Sequence, residues 1–445
     1  MDACQYRRRC RERWRGGLVF WQEGFQIVMV SYPSNQSETT IMKKHVLAMA
    51  VAASTVAFSG MAQAEVKIGF LGGFTGGIES LTPPIFDGAQ LAVNQINEQG
   101  GLLDGQMIEM PTGDTTCSDA SAASNSADRM VNTEQVTAIV GALCTGATIA
   151  AANNAAIPGG VVMVSPASTA PAVSELDDND LVFRTVPSDA FQGEMLAKLL
   201  LEKGIDEVAV TYVNNDYGQG LSDAFAMTFE AEGGTVAANL AHEDNRADYR
   251  SELGTLSSSG VPTLVVLAYA DTSGQTVLRQ AYESGMFTQY VGADGMVGNS
   301  LVDAVGADVL EGMIATRPGS PDLPGTAMFS EAAEAADVDP DAVFAAQAYD
   351  AAFLLALAIE QNGNAEREGL SEALRSVAMA PGEVILPGEW EKAVELIAAG
   401  TEINYEGASG THEFDANGDV PGIVVEMTVE DGEFVQVGEL GADDL

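Results

Sequence analysis

Histidine is nearly missing from this chain: three in 445 residues, at His45, His242 and His412. They stand far apart, so a histidine-rich metal site is not expected. The phosphate-binding and nucleophile signatures are missing too. There is no G-x-x-x-x-G-K-[ST], no G-x-S-x-G, and no G-x-G-x-x-G after the first strand. Asp415, Asn417 and Asp419 resemble the start of a calcium loop, but the glycine falls at Gly418 rather than after Asp419. No glutamate lies at the required distance either, so a hairpin turn is expected there. The reading is therefore of a non-enzymatic protein with no cofactor and no metal.

Basic residues are also scarce, 20 against 64 acidic, for a formal charge of −44. The first 64 residues hold 8 of the basic and 4 of the acidic residues, which leaves 12 against 60 and a charge of −48 on the rest. Such a surface repels phosphate backbones and anionic headgroups, so neither nucleic acid nor an anionic membrane is an expected partner. A heavily hydrated surface that keeps an exported protein soluble is the simplest use of this charge. Beyond the N-terminal region no apolar, charge-free run reaches the roughly 20 residues that cross a bilayer.

The N-terminal region itself is informative. Met42-Lys43-Lys44 is a basic start, Val46 to Phe58 is small and apolar, and Ala62-Gln63-Ala64 matches the A-x-A cleavage pattern. Residues 42–64 are expected to be a secretory signal, with Glu65 as the mature start and the periplasm as destination. No cysteine stands at the cleavage site to accept a lipid anchor. The arginine cluster at Arg7, Arg8, Arg9, Arg11, Arg13 and Arg15 could be a twin-arginine signal, but an upstream start codon assigned in error explains residues 1–41 more simply. Removing both segments discards Cys4 and Cys10 and leaves Cys117 and Cys144. Two cysteines in an oxidising compartment suggest one disulfide, and neither has a nearby histidine to make it a catalytic thiol.

The remaining 381 residues are enough for two domains. Val66–Leu71 reads as a strand, followed by a turn-rich Gly72–Gly77. A helix from Pro84 to Glu98 would bury Ala89, Val93 and Ile96, and Gly100-Gly101 would stop it. Strands at Met107–Met110, Val136–Val140 and Val161–Val164 alternate with helices at Asp119–Asn132 and Ala147–Ala156. A second series places strands at Val208–Val213, Val236–Leu240, Leu264–Ala268 and Tyr290–Gly292, with helices between them. This alternation implies right-handed crossovers and two doubly wound parallel sheets, an α/β fold of two lobes. A long helix at Val343–Gln361 follows, then β structure at His412–Phe414 and Ile423–Val429 with a turn at Glu430-Asp431-Gly432. The chain is expected to return to the first lobe near Thr316–Ser320 and to cross again near its C-terminus.

From Val66 onward these residues resemble the leucine/isoleucine/valine-binding family of periplasmic proteins. The likeness is carried by Thr75-Gly76, Phe86-Asp87-Gly88-Ala89, Asn94-Gln95-Ile96-Asn97, Ser165–Pro171, Phe183-Arg184-Thr185 and Asn215–Gly220, with Cys117 and Cys144 at the family's disulfide. It implies a type I periplasmic binding protein, two α/β lobes joined by three crossover strands. The boundaries would be 65–185 with 318–415 for the first lobe and 186–317 with 416–445 for the second.

The resemblance also implies ligand contacts. Thr145 falls where a hydroxyl meets the ligand carboxylate at a helix start, where free N–H groups favour an anion. Ala167, Ser168 and Thr169 match the loop that serves both charged groups, the Ala167 carbonyl taking the ammonium and Thr169 giving its N–H and hydroxyl. Tyr217 and Tyr269 fall where aromatic rings cover the ligand, and Asp294 where an acid meets the ammonium. Asp294 is one methylene shorter than the family's glutamate, and Leu81 replaces an aromatic residue of the side-chain pocket. Glu79 could meet a basic ligand but reads more simply as a solvated loop carboxylate, and Ala380–Gly407 is longer than in the shortest relatives. Taken singly, the threonines could be helix caps, the tyrosines core residues and Asp294 a turn residue. The implied function is a monomeric receptor of an ABC importer, passing a small amino acid, branched-chain first, to an inner-membrane permease. The alternative is a periplasmic sensor for an amino acid, amide or aromatic acid that signals to a chemoreceptor or kinase.

Overall fold

The computed structural model describes residues 65–441. The expected signal at 42–64 and the 1–41 extension lie outside the described residues. β1 (Glu65–Gly72) leads into helix α1 (Thr82–Glu98), which starts on Pro83-Pro84 and buries Ile85, Ala89, Val93 and Ile96 at helical spacing. Gly100 and Gly101, at φ 111° and 76°, end it in a conformation that side chains avoid. The first sheet then takes β2 (Met107–Glu109), β3 (Thr112–Asp114), β4 (Ala138–Gly141), β5 (Val162–Ser165) and β6 (Val182–Arg184). Its order is β2-β1-β4-β5-β6, with β3 also on β1, and every pairing is parallel.

The second sheet is built from β7 (Glu207–Val213), β8 (Thr235–His242), β9 (Thr263–Leu267), β10 (Gln289–Gly292) and β11 (Ile314–Pro318). β12 (Glu383–Ile385) and β13 (Ile403–Tyr405) form a separate parallel pair, and β14 (Val424–Glu430) and β15 (Glu433–Leu440) return to the second sheet. Its order is β15-β14-β11-β10-β9-β7-β8, parallel except where β14 meets its two neighbours. Asp431 and Gly432 both take positive φ, 52° and 87°, as the tight turn between β14 and β15 demands. Central strands such as Ala138–Gly141, Val162–Ser165 and Thr263–Leu267 are buried at every position, as strands covered on both faces must be.

The chain passes between the two sheets after Arg184, after Pro318 and again between Tyr405 and Val424. The helix at Ala345–Asn362 belongs to the first lobe and is buried on all sides from Ala345 to Ile359. It packs on α1 at Gly88, where a Cβ would lie 2.3 Å from the Ala345 carbonyl oxygen. Only glycine permits that helix contact. The long stretch after Ala380 forms the β12–β13 pair around a helix at Trp390–Ala398, with Trp390 buried against Phe353 and bonded to the Gly101 carbonyl.

One expected element is corrected. Residues 412–414 are not a strand; only Thr411 makes an isolated bridge, to Glu406. His412 stacks on Tyr405 and Phe414 packs edge-on against Phe183, so ring packing rather than a ladder explains why His412 and Phe414 are buried on either side of exposed Glu413.

Candidate functional site

The carboxyl ends of β1, β4 and β5 face those of β7, β9 and β10 across a cleft, the place where open parallel sheets bind ligands. A small chamber there is walled on the first-lobe side by Ile78, Leu81, Ile85, Leu143, Thr145, Ala167 and Phe344. Tyr217, Tyr269, Asp294 and Gly295 close it from the second lobe. About 30 Å³ is open to a water-sized sphere, room for a water or two. An amino acid can enter only if the lobes part.

Each wall residue is held by its element. Thr145 opens the helix Thr145–Ala151, with Cys144 as the extended cap residue before it. The Cys117–Cys144 disulfide, closing 27 residues of chain, ties that cap to the loop after β3. Thr145 Oγ1 accepts weakly from the Ala170 N–H at 3.4 Å. The Ala167–Ala170 loop is clamped from behind by Arg184, fully buried at the end of β6. Its Nη1 donates to the carbonyls of Ser168, Thr169 and Ala170, and its Nε pairs with Asp419 at 2.7 Å. Asp419 sits in a turn at 415–419 that joins no two paired strands, so the expected hairpin is not formed there, and the Asp419 carboxylate serves this clamp.

On the opposite wall, Asp294 Oδ1 accepts from Tyr217 Oη and from Gln192 Nε2, both at 3.0 Å. Tyr217 stacks on Tyr269 with ring centroids 5.3 Å apart, and Asn215 donates to the Tyr269 hydroxyl. Gly295 is needed here because a Cβ would sit 2.9 Å from Tyr217 Oη. At the cleft rim the Ser80 N–H and hydroxyl grip the Asp271 carboxylate at 2.8 and 2.9 Å, joining the lobes directly.

Six of the eight expected contact residues, Leu81, Thr145, Ala167, Tyr217, Tyr269 and Asp294, therefore meet in one chamber. Ser168 and Thr169 lie behind its wall, fully buried. The Ser168 hydroxyl is taken up by Thr148 and by the carbonyls of Ala142 and Leu143. Glu79 is exposed to solvent.

Two neighbours escaped the sequence reading, Asp189 and Phe344. Asp189 begins the helix Asp189–Glu202 after the Ser188 cap, with its N–H on the Thr169 carbonyl at 2.7 Å. Its carboxylate is fully buried and neither oxygen makes a hydrogen bond of normal geometry. Burial, then the charge of Asp294, raises its pKa well above the usual carboxylate range, against a smaller opposing effect of Thr169 and Arg184. Asp294 is itself raised by burial to about 6, opposed by its bonds from Tyr217 and Gln192. Burial keeps the Tyr217 and Tyr269 hydroxyls protonated. Phe344, the second, lines the chamber from a left-handed backbone with φ 64°, costing about 1 kcal/mol or more. Asp294 on one wall offers a buried acceptor to an ammonium, while the first turn of a helix on the other offers donors to a carboxylate.

These features define a solute-binding protein of two hinged α/β lobes. A family profile described as the receptor family ligand binding region matches residues 86–428. The chain is 32% identical over 329 residues to the leucine-, isoleucine-, valine-, threonine- and alanine-binding protein of Pseudomonas aeruginosa, covering 74% of this chain and 86% of that one. The leucine binding protein LivK of Thermotoga maritima superposes with a TM-score of 0.72 at 28% identity, over 85% of this chain and all of that one. The branched-chain amino acid transporter substrate binding protein LivJ of Streptococcus pneumoniae, solved with isoleucine, gives 0.68 at 25% identity over 84% of this chain and all of that one. The chain belongs to the receptor-type ligand-binding family and, within it, to the leucine/isoleucine/valine-binding solute receptors, with the type I periplasmic binding fold. Among the described residues no helix is long and apolar enough to cross a membrane.

Proposed function

We propose that this protein captures a small α-amino acid, a branched-chain aliphatic one first, between its lobes and delivers it to an ABC permease of the inner membrane. The observation that carries the reading is one chamber with Thr145 at a helix start on one wall and Asp294 on the other. The ligand carboxylate would take the helix end at Thr145. The ammonium would take Asp294. Leu81, Ile78, Ile85 and Phe344 would enclose an aliphatic side chain, whose burial contributes about 1.5–3 kcal/mol.

Closure follows because only the closed form lets one ligand touch both walls, a differential affinity for that state. The hinge would run where the chain crosses between sheets, so that 65–185 with 318–415 moves against 186–317 with 416–445. Export through the 42–64 signal to the periplasm and action as a monomer without turnover of the ligand complete the reading.

The test is a thermal-shift panel on refolded, ligand-free protein with amino acids, amides and small aromatic acids. Saturable stabilisation by leucine, isoleucine or valine is the expected result. Stabilisation by amides or aromatic acids alone would overturn the side-chain assignment, and a flat panel would overturn amino-acid capture.

A further inference from the structure

Next to the chamber, with Leu81 in the wall between them, lies a second interlobe cavity of about 310 Å³. That is at the lower end of the roughly 300–1,000 Å³ typical of small-molecule sites. Ser80 reaches it from the first lobe, Ser300 and Arg317 from the second, and Asp339 and Asp341 from the segment before the long helix.

Arg317 is the anomaly. It stands on β11, its Nη2 donates to the Asp341 carbonyl at 3.2 Å, and its buried Nε makes no hydrogen bond to the protein. No carboxylate among the described residues comes within ion-pairing distance of it. Two other guanidiniums, one fully buried and one half-buried, are matched at every nitrogen. Arg184 has Asp419, Ser174 and three carbonyls, and Arg367 has the carbonyls of Val131, Val136 and Gly159. A half-satisfied guanidinium facing a cavity, in a chain this acidic, is poised for an external carboxylate.

A bare anion would also meet Asp339 and Asp341, and a bare cation would meet Arg317. A group carrying both charges satisfies each side. We propose that this cavity is a subsite for a small zwitterion, an ammonium and a carboxylate on one carbon, with the carboxylate on Arg317. The inference rests on the amino-acid reading of the adjoining chamber, through their shared Leu81 wall. The zwitterion is either a second free amino acid or the far end of a ligand with an amino-acid group at each end.

Calorimetry on the purified, ligand-free protein tests this. Leucine binding reports the first chamber alone, so a silent leucine titration counts against the proposed function and is separable from the subsite. With leucine saturating, uptake of a further equivalent of glycine is the result expected if the zwitterion is a second molecule. If it is the far end of one ligand, 2,6-diaminopimelate binds about tenfold tighter than norleucine. Arg317→Gln must abolish whichever is seen and leave leucine affinity within about twofold, which also certifies the fold of the variant. Leucine binding with neither glycine uptake nor a diaminopimelate advantage overturns the subsite. So does either signal surviving Arg317→Gln.

Discussion

Tyr217 Oη donates to Asp294 Oδ1 at 3.0 Å and accepts from the Gly295 N–H at 3.2 Å, so one hydroxyl holds the acid and the turn that carries it. The acid is costly to the ligand-free fold, because burial raises its pKa from the ordinary carboxylate range to about 6. A carboxyl raised on folding stabilises below its unfolded pKa, and that gain is lost as pH rises through its folded pKa. Asp294→Asn should therefore raise the melting temperature of ligand-free protein near neutral pH, with the gain over wild type shrinking as pH falls from about 7 toward about 4. The same change should weaken leucine binding by about 10–100-fold through the lost charge-assisted contact. Melting curves across that range and calorimetric affinities check both halves.

The Cys117–Cys144 bridge closes 27 residues immediately before Thr145. Replacing both cysteines with serine should cost about 3.5 kcal/mol of stability by the chain-entropy relation. Leucine affinity should fall with it, because Cys144 caps the helix that presents Thr145. Urea melts and titrations of the double variant against wild type check this.

Asp350, fully buried in the long helix, accepts from Tyr405 Oη, the N–H groups of Ala408 and Ser409, and the Ser409 hydroxyl. Asp350→Ala leaves all four donors without their acceptor and should destabilise by about 3–5 kcal/mol. The melting temperature should drop with or without saturating ligand, since the hub lies outside the chamber.

With 60 acidic and 12 basic residues beyond residue 64, the surface repels itself. Raising NaCl from roughly 0.05 to 0.5 M should increase the melting temperature through screening. An insensitive or falling melting temperature would mean that local pairs such as Lys203–Glu426 and Arg375–Asp180 outweigh the net charge.

Much of the architecture was legible because it follows local rules. The proline start and glycine stop of the helix at Thr82–Glu98, the buried apolar strands and the Asp431-Gly432 turn are each written in a few neighbouring residues. The cleft walls were legible only through family resemblance, which placed Thr145, Tyr217, Tyr269 and Asp294. What escaped depends on distant chain meeting in space. Asp189 reads as an ordinary first-turn acid until Asp294, 105 positions later, is folded beside it. Arg184 becomes a clamp only when Asp419 arrives from the third crossing. Residues 412–414 mimic a strand because ring packing onto Tyr405 and Phe183 buries His412 and Phe414 on either side of exposed Glu413, the same alternation a strand shows. A lone arginine in a buried strand, and an acid directly after a serine cap, were the signals available for the first two.

The most direct measurement is the calorimetric affinity of ligand-free protein for leucine beside 4-methylpentanoate, the same skeleton without its ammonium. Capture of an amino acid between Thr145 and the Asp294 wall predicts one saturable leucine site, about 100-fold or more tighter than the deaminated acid. Equal affinity for the two, or no saturable heat with leucine, isoleucine or valine, would contradict it.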